Sequence, residues 1–289
     1  MELVVITTVV VTLLIVVTYY VSTSESPLET IPMGPDGTRF YSSISPRNRV
    51  LRPMNRAYYL PDDSRIPLPI RNRIQEAFQR ALRDFPLRFP VTTPRLLFAS
   101  GDTEGGMPHT LDQYVIVPIR DSLRSDSPKS LWTTMIHELC HVHQRQDPAA
   151  WAGLYTRLGF QKVYDRDVTD VLSGDSVVAN PDAGLPGMSQ IGWWSYRDQV
   201  GVLVFTASPT TIRDHKSVVY PVSPSGITDG KNRLKETFGD LCSQYDHPNE
   251  ITACLIADHW DSIVRPPPRA FGEDDPRAVV RRWLKERSK

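Results

Sequence analysis

Residues 130 to 148 read SLWTTMIHELCHVHQRQDP. Within them His137 and His141 stand one helical turn apart, with Glu138 beside the first. On an α-helix both imidazoles then lie on one face and can reach one ion. Glu138 falls next to that face, where its carboxylate can touch a water on the ion rather than the ion itself. Two neutral nitrogen ligands and an adjacent base are the parts of a hydrolytic metal centre. Two ordinary helix histidines are the competing reading. It leaves both rings on an apolar face, beside a glutamate with no other evident partner.

A third ligand has to come from elsewhere. His143 lies about 200° round the helix from His141 and points away. Asp147 is a nearer rival. Some zinc peptidases bring a third ligand round after a glycine that breaks the helix. Here Gln144 holds that glycine position, and its propensity continues the helix until Pro148 ends it near Asp147. Downstream, DHPNEITACLIADHW puts Glu250 in the first turn of another helix. Ala253, Cys254 and Ala257 follow on its face and are small enough for a second helix to come close. Glu250 is the favoured ligand by this reading. Its alternative is a capping acid at the positive helix end, and Asp147 stays as the rival. His247 reads as a supporting residue, and His259 faces elsewhere.

A polarised carbonyl also needs a hydrogen-bond donor. His109, Tyr196, Arg197, His215 and Tyr220 are the candidates. His109 precedes QYVIVPI, a strand at the expected sheet edge, where an extended peptide could add as a further strand. Asn180 and Asp182 in ANPD read as turn formers. Trp193 and Trp194 read as core.

The pairing of His-Glu-X-X-His with a later Asn-Glu-X-X-Ala helix resembles the gluzincin branch of zinc metallopeptidases. HELCHVHQRQDPAAWAGLYTRLGF, with MPHT before it, ANPD midway and HPNEITA after it, also looks like uncharacterised zinc-peptidase sequences of large DNA viruses and some microbial eukaryotes. The likeness runs over roughly residues 95 to 265. It implies one zinc held by His137, His141 and Glu250, with Glu138 as general base for peptide-bond hydrolysis. It also implies an active-site helix on a small mixed sheet, whose edge strand holds an extended substrate. This chain departs from the gluzincins twice. The distance from His141 to Glu250 is far longer than in compact members. Cys254 stands where an aspartate often steadies a ligand histidine.

The elements that must hold these residues can be read along the chain. The expected fold class is α+β: a zincin-like domain with a helical C-terminal part, behind an N-terminal transmembrane helix. Residues 1–22 form the anchor, since Leu3 to Val21 carries no charge and is long enough to span a bilayer. The flank lacks the positive residues and cleavage site of a signal peptide. Residues 23–69 read as an irregular tether, and 70–265 as the catalytic domain. Residues 266–289 read as a proline-rich linker and a basic helix. Ile74, Phe78, Ala81, Leu82 and Phe85 mark an amphipathic helix. RLLFAS, QYVIVPI, GVLVFTA and SVVYPV read as strands. HPNEITACLIADHWDSIV reads as one helix.

The 289 residues carry 33 basic and 33 acidic side chains. That balance excludes nucleic acid as the main partner, because phosphate binding needs a basic excess. The three cysteines are too few for a disulfide framework, though a Cys242–Cys254 bridge is allowed. Sparse cysteines, no glycosylation sequon and the arginines of the tether lean toward a cytoplasmic domain. The expected function is membrane-anchored hydrolysis of a peptide or protein substrate by zinc-activated water. A non-peptide amide hydrolase and a non-catalytic, zinc-stabilised binding module are the alternatives. The oligomeric state is not legible.

Overall fold

The computed structural model describes residues 51, 59–60, 66–99, 103–119, 126–163, 177–183, 193–206, 208–209, 212–221, 233–239, 245–264 and 271–288. The expected anchor at Leu3–Val21 and nearly all of the tether lie outside these. Among the described residues, no helix is long and apolar enough to cross a membrane.

The fold is mixed α and β with two small sheets. The first holds β1 (Tyr59–Leu60), β2 (Arg95–Ala99), β3 (His109–Leu111) and β4 (Tyr114–Pro118), in the order β1-β2-β4-β3. β2 and β4 run parallel, and β3 folds back antiparallel on β4. The sheet is therefore mixed, with β3 as an edge.

Against it lie α1 (Leu68–Asp84) and α2 (Pro128–Gln146). α1 buries Ile74, Ala77, Phe78 and Ala81, the apolar stripe its periodicity predicts. α2 begins where Ser127 accepts a hydrogen bond from the Ser130 backbone N–H, with Pro128 in the first turn. It buries Leu131, Met135, Ile136 and Leu139. Asp147 stops it with φ −136° and ψ 62°, then caps α3 (Pro148–Arg157) by accepting from the Ala150 N–H. Gly159, at φ 93°, turns the chain out of α3. Both boundaries fall where the sequence places them.

The second sheet is antiparallel: β5 (Phe160–Val163), β6 (Trp193–Tyr196), β7 (Gln199–Phe205) and β8 (His215–Pro221), in that order. A short helix follows, α4 (Arg233–Phe238). The one helix expected over 247–264 is two, α5 (Pro248–Asp258) and α6 (Trp260–Val264). His259 breaks them with φ −108° and ψ 23°. That break turns Trp260 edge-on against Trp132 of α2, ring centroids 5.3 Å apart.

The last helix, α7 (Pro276–Arg287), is not a segment apart. Val280, Trp283 and Leu284 join the same apolar cluster as Met135, Leu139 and Trp151. The Trp283 ring meets Trp151 at 4.8 Å. Its basic residues Arg282, Lys285 and Arg287 face outward.

Candidate metal centre

α2 and α5 cross face to face. Ala253, Cys254 and Ala257 of α5 are buried in that contact, and their small side chains let the two backbones approach. The approach brings Glu250 onto the histidines of α2. The Oε2 of Glu250 lies 3.1 Å from His137 Nε2 and 3.3 Å from His141 Nε2. The two Nε2 atoms are 2.9 Å apart. Three ligand atoms thus converge on one point.

The proton inventory of this point calls for a cation. Gln144 Nε2 donates to the Asn249 carbonyl and to Thr252 Oγ1, which fixes the orientation of its amide. Its Oε1 then accepts from His141 Nδ1 at 2.8 Å. A neutral His141 therefore presents a bare lone pair at Nε2. That lone pair faces a carboxylate oxygen and a second imidazole nitrogen. Such a convergence is repulsive unless positive charge sits within it. Burial lowers the pKa of His141, but the charges of Glu250 and Asp182 outweigh it and push it up to about 10. Burial raises the pKa of Glu250, yet His141 and His137 hold it well below the usual carboxylate range. Without an ion, a proton holds the cluster together. His137, His141 and Glu250 could hold a metal ion in its place.

Glu138 is buried beside them, and its Oε2 has no hydrogen-bond partner. Burial, then the charge of Asp182, raises its pKa well above the ordinary value. The ligand atoms of Glu138, His141 and Asp182 lie within 4.8 Å of one another. A cavity of about 490 Å³ opens onto His137, Glu138 and Glu250, with His109, His215 and Asn180 in its wall. His109 is buried, with Nδ1 held by the Met107 carbonyl at 3.0 Å. Its Nε2 is left without a partner.

Other candidates fall outside the cluster. Asp147 caps α3 and approaches Arg287 at 3.7 Å. His143, which points away from His141 by its helical angle, is buried. It donates from Nε2 to the Arg88 carbonyl and accepts the Trp151 indole N–H at Nδ1. His247 caps α5 by accepting the Asn249 N–H. Tyr196 is buried away from the cavity, its hydroxyl 3.1 Å from Thr237 Oγ1. Arg197 is exposed over the Tyr196 ring. Tyr220 belongs to β8, and its side chain lies outside the described set.

The ANPD loop is more than a turn. Asp182 accepts from the Thr110 backbone N–H at 3.0 Å and pairs with Arg145 of α2 at 3.3 Å. Arg145 also donates to the Thr110 carbonyl at 2.9 Å. The outward backbone groups of Thr110, midway along edge strand β3, are therefore both engaged. QYVIVPI, the strand expected at the sheet edge and as the dock for an extended peptide, is β4 and lies paired between β2 and β3, so the edge is β3 instead, and a peptide meets no free backbone at its Thr110. Asn180 donates to Glu250 Oε1 at 2.8 Å. Asn180, Asp182, Gln144 and Arg145 were all visible in the sequence as polar residues near the motifs. Nothing in their spacing marks them, because their partners come from distant elements.

Cys254 is disulfide-bonded, and its sulfur lies 3.7 Å from His137 Nδ1. Cys242, the other end of the bridge that the sequence allows, lies outside the described residues. No family model, curated protein or solved structure matches this chain.

Proposed function

We propose that this chain is a zinc-dependent hydrolase of peptide or related amide bonds, with a zincin-like domain of the gluzincin kind. The observation that carries the reading is the convergence of His137, His141 and Glu250 beside a buried Glu138 carboxylate oxygen that lacks a partner. Two imidazoles and one carboxylate suit zinc with a further position left for water or substrate. When bound there, zinc supplies Lewis acidity toward water and a carbonyl oxygen.

The chain's own groups do the rest. Glu138 takes a proton from the attacking water and returns it to the departing nitrogen. His109 Nε2, buried and unpartnered, lines the cavity; with its Nδ1–H given to the Met107 carbonyl, it can donate toward a developing oxyanion there only as the imidazolium. His215 is a second group in the same wall.

A narrower substrate reading has its own support. With the Thr110 backbone engaged by Asp182 and Arg145, a substrate cannot be held there as an added strand. That favours short or non-peptide amides entering the cavity over long extended chains. A membrane anchor at Leu3–Val21 remains part of the proposal. The disulfide at Cys254 favours an oxidising compartment for the domain over the cytoplasmic side.

The test uses the full-length chain in detergent. One zinc per chain is expected in the wild type, and far less in Glu250→Ala. Glu138→Gln is expected to keep the zinc and to lose about 10²–10⁴-fold in turnover of a cleaved amide library. Wild-type protein that is folded yet takes up no zinc removes the reading. Full turnover in Glu138→Gln removes the mechanism.

A further inference from the structure

Glu250 reaches the two histidines through one oxygen. Its Oε2 lies at 3.1 Å and 3.3 Å from the imidazole nitrogens. Its Oε1 is turned the other way, onto the Asn180 side chain at 2.8 Å. The Asn180 amide cannot be reversed. Its Oδ1 accepts the backbone N–H of Asp182 at 2.9 Å, and a backbone N–H can only donate. Its Nδ2 is therefore the end that faces Glu250, and it also lies 3.3 Å from Asp246 Oδ2.

The loop that presents Asn180 is anchored on three sides. Asp182 ties it to β3 through Thr110 and to α2 through Arg145. The Asn249 side chain donates to the Asp182 carbonyl from α5 itself. The donor is thus held by a frame that includes both metal-bearing helices.

We propose that Asn180 is a positioning residue that holds Glu250 as a one-oxygen metal ligand by fixing its second carboxylate oxygen. The inference rests on the metal reading of the site. A carboxylate free to rotate can offer both oxygens and fill the position that water or substrate needs. A carboxylate with one oxygen bonded elsewhere cannot. Partners that orient ligands in this way commonly carry about 10–100-fold in metal affinity.

Asn180 also has a plain turn-forming role, and the two roles separate in one substitution. Asn180→Asp keeps the oxygen that accepts the Asp182 N–H, so the turn survives. It replaces the donor with an acceptor facing Glu250 and Asp246. A turn former tolerates that change, whereas a positioning residue does not.

Zinc affinity of the full-length chain, measured by competition with a chromogenic chelator, is expected to fall about 10–100-fold in Asn180→Asp and in Asn180→Ala. Thermal melting of the metal-free proteins checks the fold. Cobalt-loaded protein gives a second readout. The wild type is expected to show the strong visible absorption of a four-coordinate ion, and Asn180→Ala the weaker band of a five-coordinate one. Equal zinc affinity and an unchanged cobalt spectrum in folded variants overturn this proposal and leave the metal site standing. A wild type that binds neither ion overturns the metal reading and this inference with it.

Discussion

Gln144 stands at the position where some zinc peptidases place a helix-breaking glycine, and here it does a different job. Its amide oxygen fixes the tautomer of His141, and its amide nitrogen reaches the Asn249 carbonyl on α5. One side chain thus orients His141 and joins α2 to α5. Gln144→Leu keeps the size and the helix propensity but loses both functions. Zinc affinity is expected to drop about 10–100-fold, read by chelator competition at neutral pH. His143 shows the opposite lesson. Three histidines crowd the stretch His137–His143, yet the buried indole and carbonyl around His143 satisfy both of its nitrogens. A histidine whose two nitrogens are already used has no lone pair for an ion.

Elements place these groups through a few tight fits. Gly201 of β7 is one. A Cβ there would sit 1.8 Å from the Tyr245 carbonyl oxygen, in the segment that leads into α5. Gly201→Ala is expected to cost about 1–3 kcal/mol in urea unfolding. It should also weaken zinc binding, because the displaced segment carries Glu250. Asp275 is another such fit. It caps α7 by accepting from the Arg277 N–H, and the Arg277 guanidinium beside it holds its pKa below the ordinary value. A depressed carboxylate contributes stability above its unfolded pKa, about 3.9, and loses it as pH falls further through the folded value. Asp275→Ala is expected to cost about 1 kcal/mol at pH 7. Asp275→Asn should keep most of the cap and flatten the acid limb of the stability curve. The elements themselves were legible where a pattern was local. The stripe of α1, the proline and aspartate boundaries of α2 and α3, and the strands β2, β4, β7 and β8 follow from periodicity and punctuation. β3, β5 and β6 are short, and pairing partners rather than composition make them strands. The break at His259 goes with the packing of Trp260 on Trp132, which no local signal carries.

At the scale of the molecule, the site is closed by parts distant in sequence. His137, Glu138 and His141 could be read from one helix. Glu250 needed a second helix and the small residues on its face, and Asp147 stayed as its rival. Asn180 and Asp182 needed the fold, because a loop becomes a bracket only when its partners arrive. The C-terminal helix belongs to the same whole. Trp283→Ala is expected to destabilise the chain by about 3–5 kcal/mol, measured by chemical denaturation. A loss under 1 kcal/mol would mean that α7 rests on the core rather than completing it. Thiol titration tests the covalent frame. Of three cysteines, Cys140 is free and Cys254 is bridged. One reactive thiol is expected in denaturant without reductant, and three after reduction. The ties on Thr110 have a consequence beyond substrate. A bare edge strand is a template on which copies of a protein stack and precipitate. By spending the outward N–H and C=O of Thr110 on Asp182 and Arg145, the chain denies that strand to its own neighbours. Crowded together, these molecules would resist clumping through the rim that borders the His137, His141 and Glu250 cluster.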